Sequence, residues 1–221
     1  MEQGSYLWEE YKKEISLSAG SLSAILGICP YKSRNRLWKE KNGLVKKENR
    51  IREELMYGVR EEPFARERFE EIMNVKVGQI GTMSYFKKMV SFKASPDGLF
   101  LLDGVLNGLE IKNPAKKDIP FSVEQLAVHY YPQVIANQEV LEVETWYLFF
   151  YRRVTQEYAL FKFARNTEFW DTIIMPKIWE FSKRKTKFPR MNSKGKAYLK
   201  NLIKSNVKVE LVDSNKGIDL Y

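Results

Sequence analysis

The chain holds one cysteine, Cys29, and one histidine, His129, in 221 residues. A lone cysteine forms no internal disulfide, which suits a reducing compartment. So few soft or imidazole ligands exclude a zinc site of the usual Cys/His type and a cysteine–histidine nucleophile pair. No apolar run approaches the roughly 20 residues that a membrane-spanning helix needs. Met1 to Glu14 mixes acids and bases and has no apolar stretch of the kind a secretory signal carries. The expectation is an intracellular protein without a membrane segment, whose chemistry runs on carboxylates, lysines and a hard metal ion.

An apolar share of 44% and an aromatic share of 14% suit a folded core rather than disorder. The length fits a single domain over 1–221, with 183–221 as a basic C-terminal extension. Charge separates that extension from the rest. Ten of the 37 Lys/Arg lie between Lys183 and Lys208, where there is no Asp or Glu. The other 27 face 28 acids, so the remainder is near neutral. Such a segment is either a solubilising tail or a contact for a polyanion such as DNA, through phosphates. Phe188, Tyr198, Leu199, Leu202 and Ile203 interleave the charges and favour the second reading, with part of the segment packed on the domain.

The pattern along the chain alternates helices and strands. Residues 20–27 read as a short helix closed by Gly27, and Arg34 to Asn42 as another that stops at Gly43. Residues 50–73 have helical periodicity, with Pro63 near the start of a second piece. Val75 to Ile80 alternates, and Met83 to Ala94 is β-like. Asp103-Gly104 is a hairpin turn between Leu99–Leu102 and a return strand, Val105 to Lys112. Ser122 to Leu141 reads as a helix kinked at Pro132. Glu142–Arg152 and Glu157–Phe163 are strands, and Thr167–Phe181 a last helix interrupted by Pro176. The sum is an α/β (α+β) domain, a central mixed sheet flanked by helices.

The chemistry gathers in Ser95-Pro96-Asp97-Gly98 and Leu109-Glu110-Ile111-Lys112. On a strand, Glu110 and Lys112 point one way and Leu109 and Ile111 the other. The hairpin through Asp103-Gly104 can return Asp97 to their side. Two carboxylates can hold a hard divalent ion whose shell is completed by water and phosphate oxygens. A lysine beside them can orient the water or offset developing charge. Taken singly, Glu-x-Lys is also a plain solvent-face ion pair, and Pro-Asp-Gly is also ordinary turn chemistry.

These residues, in this order, resemble the PD-(D/E)XK nucleases, and among them the phage lambda exonuclease and YqaJ-type viral recombinases (alkaline exonucleases). The resemblance spans about residues 13 to 182. Ala24-Ile25-Leu26-Gly27 with Pro30-Tyr31-Lys32-Ser33 is similar to the group's N-terminal motif. Gly58, Glu62, Ala65 and Arg66 resemble its helix motif. Ala94-Ser95-Pro96-Asp97-Gly98-Leu99 and Leu109-Glu110-Ile111-Lys112 resemble the signature itself. Tyr130-Tyr131-Pro132-Gln133-Val134, followed by Trp146-Tyr147, resembles the late motif. The resemblance implies a restriction-endonuclease-like core and a Mg²⁺ site, with Mn²⁺ able to substitute. The ion would be held by Asp97, Glu110 and the carbonyl of Ile111, with Glu62 a further acidic group at a second metal or its water. Lys112 would position the attacking water. Gln133, Ser95, Arg66 and the basic Lys183, Arg184 and Lys185 would contact DNA. The group's N-terminal arginine and serine, which grip a 5′ phosphate, fall on Lys13 and Gly20, so Lys13 with Ser18, Ser21 or Ser23 would stand in for them. A second late glutamine is replaced by Ile135. His129 is expected to pack or to touch the DNA backbone, not to act as a base.

The implied activity is digestion of linear double-stranded DNA from free ends, 5′→3′, leaving 3′ single strands for recombination. The implied partners are a single-strand annealing protein and further copies of the chain. The implied location, for a viral protein, is the cytoplasm or nucleus of an infected cell. Two readings compete: a structure-specific endonuclease or junction resolvase of the same fold, and a non-catalytic DNA-binding module.

Overall fold

A computed structural model of the chain describes residues 17–46, 53–87, 90–115 and 118–217. Strand β1 (Leu17–Ser18) passes through a 3-10 turn (Ala19–Ser21) into α1 (Leu22–Ile25), which Gly27 closes with a positive φ of 76°. Helix α2 (Arg34–Lys41) is capped by the Ser33 hydroxyl and ends before Gly43, again at positive φ. Helix α3 (Glu53–Met73) leads to β2 (Val77–Gly78), β3 (Met83–Lys87), β4 (Val90–Ala94), β5 (Gly98–Leu102) and β6 (Val105–Lys112). Helix α4 (Tyr131–Leu141) then precedes β7 (Thr145–Arg152) and β8 (Glu157–Ala164). Thr167–Phe169, a π-helical stretch Trp170–Ile174 and Met175–Lys183 run on as α5. Helix α6 (Ser193–Asn206) and β9 (Val209–Asn215) follow.

The main sheet has the order β2-β5-β6-β7-β8-β9. Its neighbours are antiparallel except β6 and β7, whose parallel pairing is spanned by the crossover through α4. A smaller sheet, β1-β4-β3, stands apart from it. Alternation on β7 sorts the two faces. Tyr147, Phe149 and Tyr151 pack with Leu109 and Ile111 against Ala65 and Phe69 of α3. Trp146, Leu148 and Phe150 turn to the larger core shared with α1, α4, α5 and α6. Each large apolar side chain buried this way contributes about 1.5–3 kcal/mol. A one-residue slip of β7 would exchange its two faces, so the register is firmly set.

The hairpin expected at Asp103-Gly104 forms, both residues at positive φ and Leu102 facing Val105 across a two-residue loop. Elements around two prolines differ from their sequence reading. Helix α3 runs unbroken through Pro63. Proline leaves the carbonyl four residues earlier without a donor, but that residue, Val59, is 62% exposed and its carbonyl can take water. Only the second half of Ser122–Leu141 is α-helical, and Pro132 sits in the first turn, where its missing N–H costs nothing, instead of at a kink. The basic C-terminal segment is woven in. Phe188, Leu199 and Ile203 are buried in the larger core, and β9 extends the sheet beyond β8. Among the described residues no helix is long and apolar enough to cross a membrane.

Candidate active site

The site lies at the C-terminal end of β6, where the antiparallel hairpin meets the parallel half of the sheet. Leu109 and Ile111 belong to the apolar layer under α3. Glu110 and Lys112 point away from them, towards α4. The Asp97 amide donates to the Leu109 carbonyl at 3.2 Å, and its carboxylate Oδ2 accepts from the Ile111 amide at 2.6 Å. The Pro-Asp-Gly segment is therefore sewn onto β6. Gly98 beside it lets β2 lie close, because a Cβ there would stand 2.2 Å from the Val77 side chain and force it to shift.

Glu110 is 2% exposed. Its Oε1 accepts from Lys112 Nζ at 2.5 Å and from Gln133 Nε2 at 2.5 Å, and its Oε2 accepts from Asn137 Nδ2 at 3.2 Å. Lys112 Nζ also donates to Gln133 Oε1 at 3.3 Å. Gly58, Val59 and Glu62 of α3 close the other side of a cleft of about 280 Å³, whose lining also includes Asp97, Glu110, Ile111, Lys112 and Asn113. Asn113 ties that helix to the strand end by donating to the Gly58 carbonyl at 3.2 Å. Glu62 forms an ion pair with Arg66 at 2.5 Å.

Three carboxyls in this cleft are electrostatically uncomfortable. Burial pushes Glu110 up to about 7, and the Asp97 charge adds to this against the opposing pull of Lys112. Asp97 is raised by its own burial. Glu62 is raised by burial and by the Asp97 charge, more than Arg66 lowers it. Burial acts to depress Lys112, but Glu110 and Asp97 outweigh it and the amine is held above its ordinary value, charged. A divalent cation would relieve all three acids. The donors lining the cleft are oxygens without sulfur or imidazole, which suits Mg²⁺ or Mn²⁺. The Asn113 Oδ1, buried without a hydrogen-bond partner among the described residues, offers a further acceptor for a metal-bound water. Among the described residues no three acidic, Cys or His side chains stand close enough to make a complete cage. Mg²⁺ does not need one, because it commonly takes one or two carboxylates and keeps several waters. The residues present therefore fit the ion.

Asp97, Glu110, Lys112, Ile111 and Glu62 thus line one cleft, and Gln133 is bonded to two of them. Arg66 reaches the cleft through Glu62. Other predicted contacts are not part of its lining. The Ser95 hydroxyl shares a 2.7 Å hydrogen bond with Thr82. The Ser21 hydroxyl donates to the Ser18 carbonyl and accepts from the Ser18 amide, fastening the first turn. Lys183 and Lys185 are exposed at the end of α5 and just beyond it, whereas Arg184 is turned inward, with its guanidinium over the Phe188 ring and paired with Glu180. Lys13 lies outside the described residues. Asn137 went unpredicted. Its signal was its place one helical turn after Gln133, which puts both amides on one face of α4. His129 packs its ring against Tyr31 and Tyr130, as expected of a packing residue.

Residues 7–144 match the model of the YqaJ-like viral recombinase domain. Among solved structures, an alkaline exonuclease from Laribacter hongkongensis (LHK-Exo) is similar over 89% of this chain and 97% of its own. Its TM-score is 0.58 and its identity 18%. A phage-related exonuclease from Haemophilus somnus 129PT is similar over 86% and 96%, with a TM-score of 0.50 and 10% identity. Among curated protein sequences none matches. The fold is thus that of these exonucleases, and the family match takes in β5, β6, α4 and every residue of the cleft. The chain belongs to the YqaJ-like viral recombinase domain family.

Proposed function

We propose that the protein is a metal-dependent nuclease that degrades linear double-stranded DNA from its ends, 5′→3′, leaving 3′ single strands. The observation that carries this reading is the convergence of Asp97, Glu110 and Lys112 in one cleft at the end of β6. A binding protein has no use for buried acids facing phosphates. Asp97, Glu110 and the Ile111 carbonyl would hold Mg²⁺ or Mn²⁺, with Glu62 at its water shell. When bound, the ion supplies a water of lowered pKa and stabilises charge on the scissile phosphate. Gln133 and Asn137 fix the Glu110 carboxylate so that its oxygens keep one orientation. Lys112, whose ammonium is held between Glu110 and Gln133, orients the attacking water and offsets negative charge on the phosphate. The end preference rests on the family. The 3′ strand produced is the substrate of a single-strand annealing protein, the partner that this activity calls for.

The test is digestion of linear duplex with Mg²⁺, with 5′-phosphate and 5′-hydroxyl ends compared beside a closed circle and a Lys112→Ala variant. Loss of the linear DNA alone, faster with the phosphate and absent in the variant, is the expected result. Cutting of the circle would replace the reading with an endonuclease. No metal-dependent cleavage of any substrate would leave a DNA-binding module.

A further inference from the structure

A second cavity, of about 520 Å³, opens between α2 and the loop that leads into α6. Four cationic side chains line it, Lys32, Arg34, Arg190 and Lys196, and no carboxylate does. Two helix N-termini meet there. Ser33 caps α2 by accepting from the Arg36 amide at 3.2 Å, and Asn192 caps α6 by accepting from the Gly195 amide at 2.8 Å. Ser33, Arg34 and Lys196, from those first turns, are part of the lining. Each cap satisfies one of the several free amides of a helix start, and each helix adds about half a positive charge to the field.

Two of the four cations are held in place by ion pairs. Lys32 is paired with Glu40 at 2.6 Å and Arg34 with Glu180 at 2.9 Å, both carboxylates lying outside the lining. Arg34 is further fixed with its guanidinium 3.7 Å over the Phe188 ring, and its Nε is buried without a hydrogen-bond partner among the described residues. Arg190 and Lys196 are exposed and bridge to no carboxylate among the described residues. Fixed cations, free cations and two helix starts without an opposing acid in the wall make a receptor for a phosphate group.

The cavity is joined to the active cleft by aromatic steps. Tyr31 in its wall stands edge-on to His129 at 5.7 Å, and His129 lies 4.2 Å from Tyr130. Tyr130 immediately precedes α4, whose first turn carries Gln133 to Lys112.

We propose that this cavity is a second phosphate site, which grips a backbone phosphate of the single strand some nucleotides away from the one being cut. The proposal rests on the nuclease reading for its choice of ligand. Its test uses the full chain in EDTA, the exposed pair Arg190→Gln/Lys196→Gln, and two probes, fluorescent dT20 and inorganic phosphate. The variant should bind dT20 about 10-fold more weakly, and its log–log salt slope should be shallower by roughly 0.7 for each phosphate that is no longer neutralised. Its thermal melt should equal that of the parent, because both side chains are exposed. An unchanged dT20 affinity and slope would overturn the proposal. So would phosphate raising the melting temperature of the parent alone while dT20 binding stays the same, because the cavity would then hold only a small anion. Failure of the nuclease reading shows differently: the parent would cleave no DNA, whatever the pair of substitutions does to dT20.

Discussion

Glu110 sets the behaviour of the site at the scale of a single residue. Its carboxyl is ordinary in the unfolded chain, near 4.5, and is pushed up to about 7 by burial in the folded one. Between those values the folded state holds a proton that the unfolded state has lost. Stability in the absence of metal is therefore fully present below about 4.5 and falls as pH rises through 7. The difference corresponds to about 3 kcal/mol. Asp97 and Glu62, also raised, act in the same direction. A bound cation reverses the balance, because it favours the ionised acids, so metal affinity should strengthen with pH over the same window. In EDTA the melting temperature should fall from pH 5 to pH 8, and Mg²⁺ should restore more at pH 8 than at pH 5. Glu110→Gln keeps the shape and the bond from Lys112 but cannot ionise. It should flatten most of the slope, leave the part due to Asp97 and Glu62, and cancel most of the Mg²⁺ shift. A Gln variant with the full slope of the parent would mean that Glu110 ionises freely.

At the scale of elements, the site depends on how tightly β6 and β7 lie together. Gly108 faces Trp146 across the parallel pair, and a Cβ there would stand 2.2 Å from the indole ring, which is fully buried. Gly108→Ala must displace the ring or part the strands just before Glu110. Overpacking of this kind costs typically 1–3 kcal/mol, and a ring with no exposed edge puts the change at the upper end, about 3 kcal/mol. That is a fall of roughly 10 °C in a thermal melt followed by circular dichroism. An unchanged melt would show that the indole has room to move. Local pattern made this region readable in advance. The alternation Leu109, Glu110, Ile111, Lys112 and the Asp103-Gly104 turn are both short-range signals, and both the strand and its hairpin are as expected. Elements that depend on distant partners were not readable in the same way. Pro63 reads as a boundary because sequence does not reveal that the Val59 carbonyl is open to water. Tyr131–Leu141 is only half the helix expected, because proline two residues into a helix and proline at a kink look alike before the ends are known. Asn137 was missed because its role exists only once α4 lies across β6.

For the whole molecule, the question is where the positive charge sits once the chain is folded. As a tail, Lys183–Lys208 would bind DNA diffusely. Folded, it is fastened at several points. The Arg184 carbonyl accepts from Trp38 Nε1 at 3.0 Å, and its guanidinium is 4.6 Å over Phe188, a ring that stacks on Phe181. Beyond it, α6 buries Leu199 and Ile203, and β9 is hydrogen-bonded to β8. The segment's charge is thus displayed on a rigid surface, and its residues divide into two kinds. Lys183 and Lys185 are exposed and free to meet phosphates, whereas Arg184 is committed to the fold. Lys183→Gln/Lys185→Gln should leave the thermal melt within about 0.5 kcal/mol of the parent, as exposed substitutions usually do. It should weaken binding of a long duplex and make the log–log salt slope shallower by about 0.9 for each phosphate that is no longer neutralised. Arg184→Ala should instead lower the melting temperature, because it removes the ring contact and the hydrogen bond to the Thr186 carbonyl that close the turn after α5. If the lysine pair changes neither affinity nor slope while Arg184→Ala destabilises, the end of α5 serves to anchor the C-terminal elements, and the duplex lies against another part of the surface.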